Sequence, residues 1–303
     1  MSRLQANLVL LLAAAIWGST FVVQHMAMDT IGPHVFTGAR FFLGALVVMP
    51  LALREQRRLK NRGEAIKPLY FIGMVLAGCA LFTGAILQQI GIIYTSVTNA
   101  GFLTALYVPT VPLLTMILFR KAPHWAVWPA AFGCVGGTYL LSSGGGAISL
   151  QVGDLWVISS SIFWACHVVL VGVVGSRSKA PLTLAMIQFF TASALGWAFA
   201  FGTEDVTLAG LADGFWGIAY AGFLSVGVGF TLQVIGQRHT EPADAAILLS
   251  METVFAAVAG AVFLAERLAP VELLGCAMIL SCVLAVEVLP LLWRRRRRTA
   301  KIA

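Results

Sequence analysis

Residues 232–267 read LQVIGQRHTEPADAAILLSMETVFAAVAGAVFLAER, two apolar runs parted by a polar hairpin, with Glu252 set inside the second run. The stretch has an echo. Residues 87–111, LQQIGIIYTSVTNAGFLTALYVPTV, align with 232–256 at a constant offset of 145 and share Leu87/Leu232, Gln88/Gln233, Ile90/Ile235, Gly91/Gly236, Thr95/Thr240, Ala100/Ala245 and Leu103/Leu248. A fixed offset over both runs is the mark of two half-chains of common origin. On this reading Glu252 lies about nine residues inside an apolar helix, and its counterpart in the first copy is Tyr107.

The whole chain shares the apolar character of these runs. Its 303 residues are 59% hydrophobic and only 11% charged, with a mean hydropathy of +0.89. Such a composition excludes a soluble domain and implies a polytopic membrane protein. An all-α fold follows, because lipid leaves no partner for an open sheet edge and the alternation of a barrel is absent. Ten transmembrane helices are expected at 6–25, 34–53, 68–93, 99–119, 124–142, 153–174, 181–201, 213–237, 243–264 and 270–292. Pro109 and Pro112 fall inside the fourth, where a missing N–H and a ring clash should kink it. The first apolar run lacks a cleavage site and is read as a retained helix. Cys79, Cys134, Cys166, Cys276 and Cys282 lie in apolar runs without paired spacing and imply neither disulfide nor metal.

The net charge of +7 resembles a nucleic-acid signal until it is mapped. With the N-terminus inside, 18 of the 20 Lys and Arg fall in inner segments, leaving Arg40 in the membrane and Arg267 outside. Both termini are therefore placed in the cytoplasm, and the tail Arg294–Arg298 is a membrane-surface stop. The partners are the lipid bilayer and a small molecule, with no nucleic acid. Five helices per half is an odd number, so the second half enters inverted. The division is 1–148 for the first repeat, 149–293 for the second and 294–303 for the tail. Ile16-Trp17 recurring as Phe163-Trp164, and Arg40-Phe41-Phe42 as Gln188-Phe189-Phe190, fits the same register.

Met251-Glu252-Thr253-Val254-Phe255, then Leu264-Ala265-Glu266-Arg267-Leu268 and Leu273 to Leu280, resemble the closing signature of the EamA-type branch of the drug/metabolite transporter superfamily. Ala15-Ile16-Trp17-Gly18-Ser19-Thr20-Phe21 is similar to its first-helix motif and Ala39-Arg40-Phe41 to its second. The resemblance spans both repeats and implies a ten-helix exporter, similar to the YddG-like amino-acid exporters. It does not specify the substrate.

Several polar residues sit at membrane depth. A carboxylate near the bilayer centre costs about 2.5–3.5 kcal/mol on insertion scales, so Glu252 must face a cavity, a partner or a proton. A proton relay and a structural tie between helices both satisfy this. Arg40 lies about six residues into the second helix. It either anchors a substrate carboxylate through its fork or is satisfied by helix-end carbonyls or by Glu252. Trp17, Thr20, Phe21 and Gln24 share one helical face, as do Trp164 and His167, and together they make an aromatic wall with polar points. Gln88 and Gln233 are repeat-related, Gln188 is the counterpart of Arg40, and Tyr107 lines the bend before Pro109. The hairpins holding Tyr94 and Asn99, and His239, Thr240 and Asp244, are candidate gates, with Asn99 and Thr240 as helix caps.

These features imply a secondary transporter of the plasma (bacterial inner) membrane that exports aromatic or other neutral amino acids by alternating access, with proton coupling left open. A multidrug, purine, sugar or lipophilic-cation exporter of the same fold is the alternative. No cofactor or metal is expected. An intramembrane enzyme is disfavoured because no paired-Asp, HExxH or Ser-His constellation occurs, and a channel because of the inverted repeat.

Overall fold

The computed structural model describes residues 1–95, 97–120, 122–143, 146–147, 151–263 and 269–299; of 97–99, 141–142, 257, 260–263, 286–288 and 290–299 only the backbone is described. Arg267 and the signature 264–268 therefore lie outside the described residues. The described residues form helices and no strands: α1 (Arg3–Ala27), α2 (Pro33–Asn61), α3 (Pro68–Tyr94), α4 (Val97–Thr104), α5 (Tyr107–Phe119), α6 (Val127–Ser143), α7 (Val152–Ser178) and α8 (Pro181–Thr203). Beyond these come α9 (Leu208–Asp213), α10 (Phe215–Tyr220), a π-helical segment (Ala221–Phe230), α11 (Thr231–Gln237), α12 (Pro242–Leu249), α13 (Met251–Phe263) and α14 (Pro270–Thr299).

Seven segments among the described residues are long and apolar enough to cross a membrane: the helices α1, α2, α3, α7 and α8, Ala100–Phe119, and Phe215–Gln237. Of the other expected spans, α6 has 17 residues, the ninth is split into α12 and α13, and the tenth is represented by the apolar stretch Pro270–Ala285 of α14. The solvent pattern is that of a membrane protein. Leu4, Leu8 and Leu12 stand outward on one stripe of α1, while Asn7, Thr20 and Gln24 are buried on the other.

Two predicted helices are interrupted at the same repeat position. The fourth breaks at Ala105-Leu106, where the ring of Pro109 denies the backbone a donor, although Pro112 is accommodated inside α5. The ninth breaks at Ser250 without a proline: its hydroxyl donates to the Ile247 carbonyl at 2.7 Å, and Thr253 Oγ1 donates to the Ser250 carbonyl at 2.9 Å. Ser19 and Ser160 make the same bond inside the unbroken helices α1 and α7, so the hydroxyl accompanies the break and does not by itself cause it. Ala105 and Ser250 are related by the offset of 145. Glu252 is consequently not deep inside a continuous helix but in the first turn of α13.

Packing between the halves is reciprocal. Helix α2 lies along α8 and α6 along α14, while α3 pairs with α7 and α1 with α11 and α13. A Cβ on Gly18 would stand 2.7 Å from the Glu252 carbonyl oxygen and the Ala256 amide, so α1 meets α13 backbone to backbone. The α2/α8 pair is capped in both directions. Glu204 at the end of α8 accepts from the His34 and Val35 amides at 2.7 and 2.8 Å. Glu55 near the end of α2 accepts from the Leu182 and Thr183 amides at 3.3 and 2.8 Å. Each glutamate satisfies orphan donors of the other helix.

Candidate functional site

Between the halves lies a cavity of about 50 Å³, room for a few waters and too small for a bulky ligand without side-chain movement. The structure brings ten of the residues singled out above to its wall: Trp17, Thr20, Phe21, Gln24, Arg40, Gln88, Tyr107, Trp164, Gln233 and Glu252. His167 and Gln188 stand behind it. They are fully buried and hydrogen-bond each other, His167 Nε2 to Gln188 Oε1 at 3.0 Å.

Helix α1 contributes its polar face and α2 the guanidinium. Arg40 is only 4% exposed and does not snorkel. Its Nη1 donates to Gln24 Oε1 at 2.6 Å, and its carbon Cζ lies 5.1 and 5.2 Å from the ring centroids of Phe36 and Phe41. Such ring faces stabilise a cation by their quadrupole. Its Nε has no partner, and no ion pair joins it to Glu252 among the described residues. The Glu252 carboxylate likewise accepts no hydrogen bond from the described residues. The cavity thus holds one cation and one acid, neither neutralised by the other.

The repeat-related wall residues differ in how they are held. Trp17 Nε1 donates to the Ser225 carbonyl at 3.3 Å, Gln88 Nε2 to Thr104 Oγ1 at 2.8 Å, and Tyr107 Oη to the Ala246 carbonyl at 3.4 Å. Their counterparts Trp164 Nε1 and Gln233 Oε1 are buried without partners. Buried polar groups are ordinarily bonded, so unpaired ones facing a cavity mark places for a ligand or water.

Sequence reasoning missed Thr104, Val168, Ser225, Phe230 and Leu249 in the wall. Three were within reach of the repeat register: Thr104 and Leu249 are counterparts at offset 145, and Val168 answers Phe21 at the tryptophans' offset of 147. Ser225 and Phe230 carried no such signal, since they belong to the π-helical segment. Phe230 stands against Trp17 at 4.5 Å and stacks on Trp164 at 5.9 Å, so the segment carries the ring between the two tryptophans. π-helical insertions recur at functional sites because they re-aim side chains.

The hairpins give a reciprocal pair of ties. Thr95 Oγ1 donates to Asp154 Oδ1, joining the end of α3 to the start of α7. Its counterpart Thr240 donates to Asn7 Oδ1 at 3.0 Å, joining the end of α11 to the start of α1, beside an Arg3–Asp244 ion pair at 2.9 Å. Thr240 therefore bonds across to α1 rather than capping α12, whose N-cap is Glu241. Tyr94 and His239 are exposed; Asn99 lies in α4, its side chain outside the described set. The slight desolvation of His239, the nearby amino terminus and Arg238 together push its imidazole below its ordinary range.

A family model described as EamA-like transporter family matches residues 4–143 and again 151–287. A protein of Archaeoglobus fulgidus named an uncharacterized transporter is 32% identical over 289 residues, covering 94% of this chain and 86% of its own. The threonine/homoserine exporter RhtA of Escherichia coli is 25% identical over 279 residues, covering 90% and 88%. A protein of known crystal structure superposes with a TM-score of 0.77 at 18% identity, covering 95% of this chain and 98% of its own, a likeness of fold.

Proposed function

This chain belongs to the EamA-like transporter family and is an integral multi-pass membrane transporter, and from that premise we propose that it exports small neutral amino acids across the plasma (bacterial inner) membrane. The observation that carries the proposal is that Arg40 and Glu252 share one cavity wall with no ion pair between them or to another described residue. A zwitterion supplies a carboxylate for the guanidinium fork and an ammonium for the acid. The aromatic rings and the paired glutamines offer apolar surface and hydrogen-bonding points to its side chain. RhtA, by its name a threonine/homoserine exporter, points the same way.

We further infer ten transmembrane helices in two inverted repeats, 1–148 and 149–293, with both termini and the tail 294–303 cytoplasmic. The double family match, the reciprocal packing and the one-sided Lys and Arg support this architecture. Three spanning helices separate Asn7 from Thr95, which sets the Thr240–Asn7 and Thr95–Asp154 ties on opposite faces. They are the gates that open in alternation.

Proteoliposomes loaded with labelled threonine, homoserine, alanine or phenylalanine test the proposal by counterflow, with and without a pH gradient. Saturable movement of the small amino acids, faster than that of phenylalanine, is expected. Movement of lipophilic cations with no amino-acid flux overturns the substrate class and supports a multidrug exporter.

A further inference from the structure

We propose that a basic notch at the inner end of α2 binds the phosphate headgroup of an anionic phospholipid. The notch has a volume of about 490 Å³ and lies between α2, the α7–α8 junction and the residue following α11. It is separate from the central cavity, sharing no lining residue with it.

Its charges do not balance internally. Glu55 is engaged by the α8 amino terminus, with Thr183 Oγ1 adding a third bond at 2.9 Å. Glu64 pairs with Lys179 at 3.2 Å, Lys179 ending α7 in the left-handed region at φ 58°. That leaves Arg54, Arg58, Arg62 and Arg238 in the lining with no ion pair among the described residues. Arg54 and Arg58 stand one turn apart on α2 and Arg62 is its C-cap, so like charges crowd one side of the helix end. Arg57 and Lys60 lie on the same helix, Lys67 is the N-cap of α3, and none of the three lines the notch. A phosphate held between these guanidinium forks removes the repulsion and forms charge-assisted bonds.

The position selects lipid over a soluble anion. Leu51 forms one wall while 47% exposed, and Leu53 is 42% exposed, so the apolar, lipid-facing part of α2 ends one residue before Arg54. The notch therefore opens at the level of the headgroups, with Leu51, Leu59 and Leu182 available to the first part of an acyl chain. Basic pockets between helices on the cytoplasmic side are suited to anionic headgroups.

The test is thermal unfolding of the purified full chain in neutral detergent with added phosphatidylglycerol, phosphatidylcholine or inorganic phosphate, read beside native mass spectrometry for retained lipid. A ligand that binds only the folded state raises Tm. Phosphatidylglycerol is expected to raise Tm and remain bound where phosphatidylcholine does neither. The triple variant Arg54→Gln/Arg58→Gln/Arg62→Gln should lose that shift, and the charge-matched Arg57→Gln/Lys60→Gln/Lys67→Gln should keep it. Arg238→Gln, one exposed substitution on another element, should reduce the shift even where the triple variant folds poorly. Equal loss in the charge-matched control, no shift in the unaltered chain, or the same shift from inorganic phosphate at equal concentration overturns the proposal.

Discussion

At the cavity the two halves present matching residues in opposite states. Trp17, Gln88 and Tyr107 of the first half each donate a hydrogen bond to the protein. Trp164 and Gln233 of the second half keep buried polar atoms without partners, and Glu252 keeps a carboxylate that no described side chain engages. Three matched positions sort the same way. One half holds the wall in shape, and the other leaves its polar groups for a ligand. Arg40 is the exception from the first half, tied to Gln24 through one nitrogen with its Nε unpartnered.

The largest effect should come from the third pair. If Glu252 receives the substrate ammonium, Glu252→Gln leaves that charge unpaired, a change that typically costs about 2–5 kcal/mol or more, roughly 30-fold to several thousand-fold in affinity. Tyr107→Phe removes one long hydrogen bond at 3.4 Å and should change affinity less than about threefold. Counterflow across substrate concentrations separates the two. Comparable losses in both variants would break the division of labour.

The glutamine pair should show the same contrast at smaller size. Gln233→Leu removes one hydrogen bond to substrate, about 1–1.5 kcal/mol and so roughly tenfold in apparent KM, with Tm unchanged or raised because an unpaired buried atom disappears. Gln88→Leu should instead lower Tm, since it deletes the bond to Thr104 that joins α3 to α4. Below this comes the indole pair. Trp164→Phe should raise KM a few-fold with little effect on Tm, while Trp17→Phe should lower Tm by freeing the Ser225 carbonyl in the π-helical segment.

Hydropathy and the echo at offset 145 made the membrane-embedded helical class and most of the cavity wall legible, because apolar length and repeated polar positions are properties of the chain itself. The break at Ala105-Leu106 was foreshadowed by Pro109. That at Ser250 was not, since no proline or glycine marks it and serines with the same hydroxyl bond sit inside unbroken helices. For the same reason Glu252 read as a mid-helix charge and stands instead at a helix start. His167 and Gln188 show the converse limit: periodicity places a side chain on a face but does not say whether it meets the cavity or its neighbour. The mutual caps by Glu55 and Glu204 needed the packing of α2 on α8 to become visible, although the two glutamates are themselves 149 residues apart and close to the repeat register.

Those caps carry the smallest expected effect and compare the halves away from the cavity. Partial burial works against the Glu204 anion, but bonds from the His34 ring and from the His34 and Val35 amides outweigh it and hold the carboxyl below its ordinary 4.5. A group whose folded value is depressed adds stability that is present above the unfolded value and is lost as pH falls through the folded one. The unaltered protein should therefore lose Tm as pH drops below about 4.5. Glu204→Gln should be less stable at neutral pH by the loss of a helix cap, about 1 kcal/mol, and should show a flatter Tm profile through the acid range. Neutral-pH counterflow should stay within about twofold of the unaltered chain, because Glu204 does not line the cavity. A Tm profile as steep as that of the unaltered protein would remove Glu204 as the source of the acid dependence and leave its cap purely local.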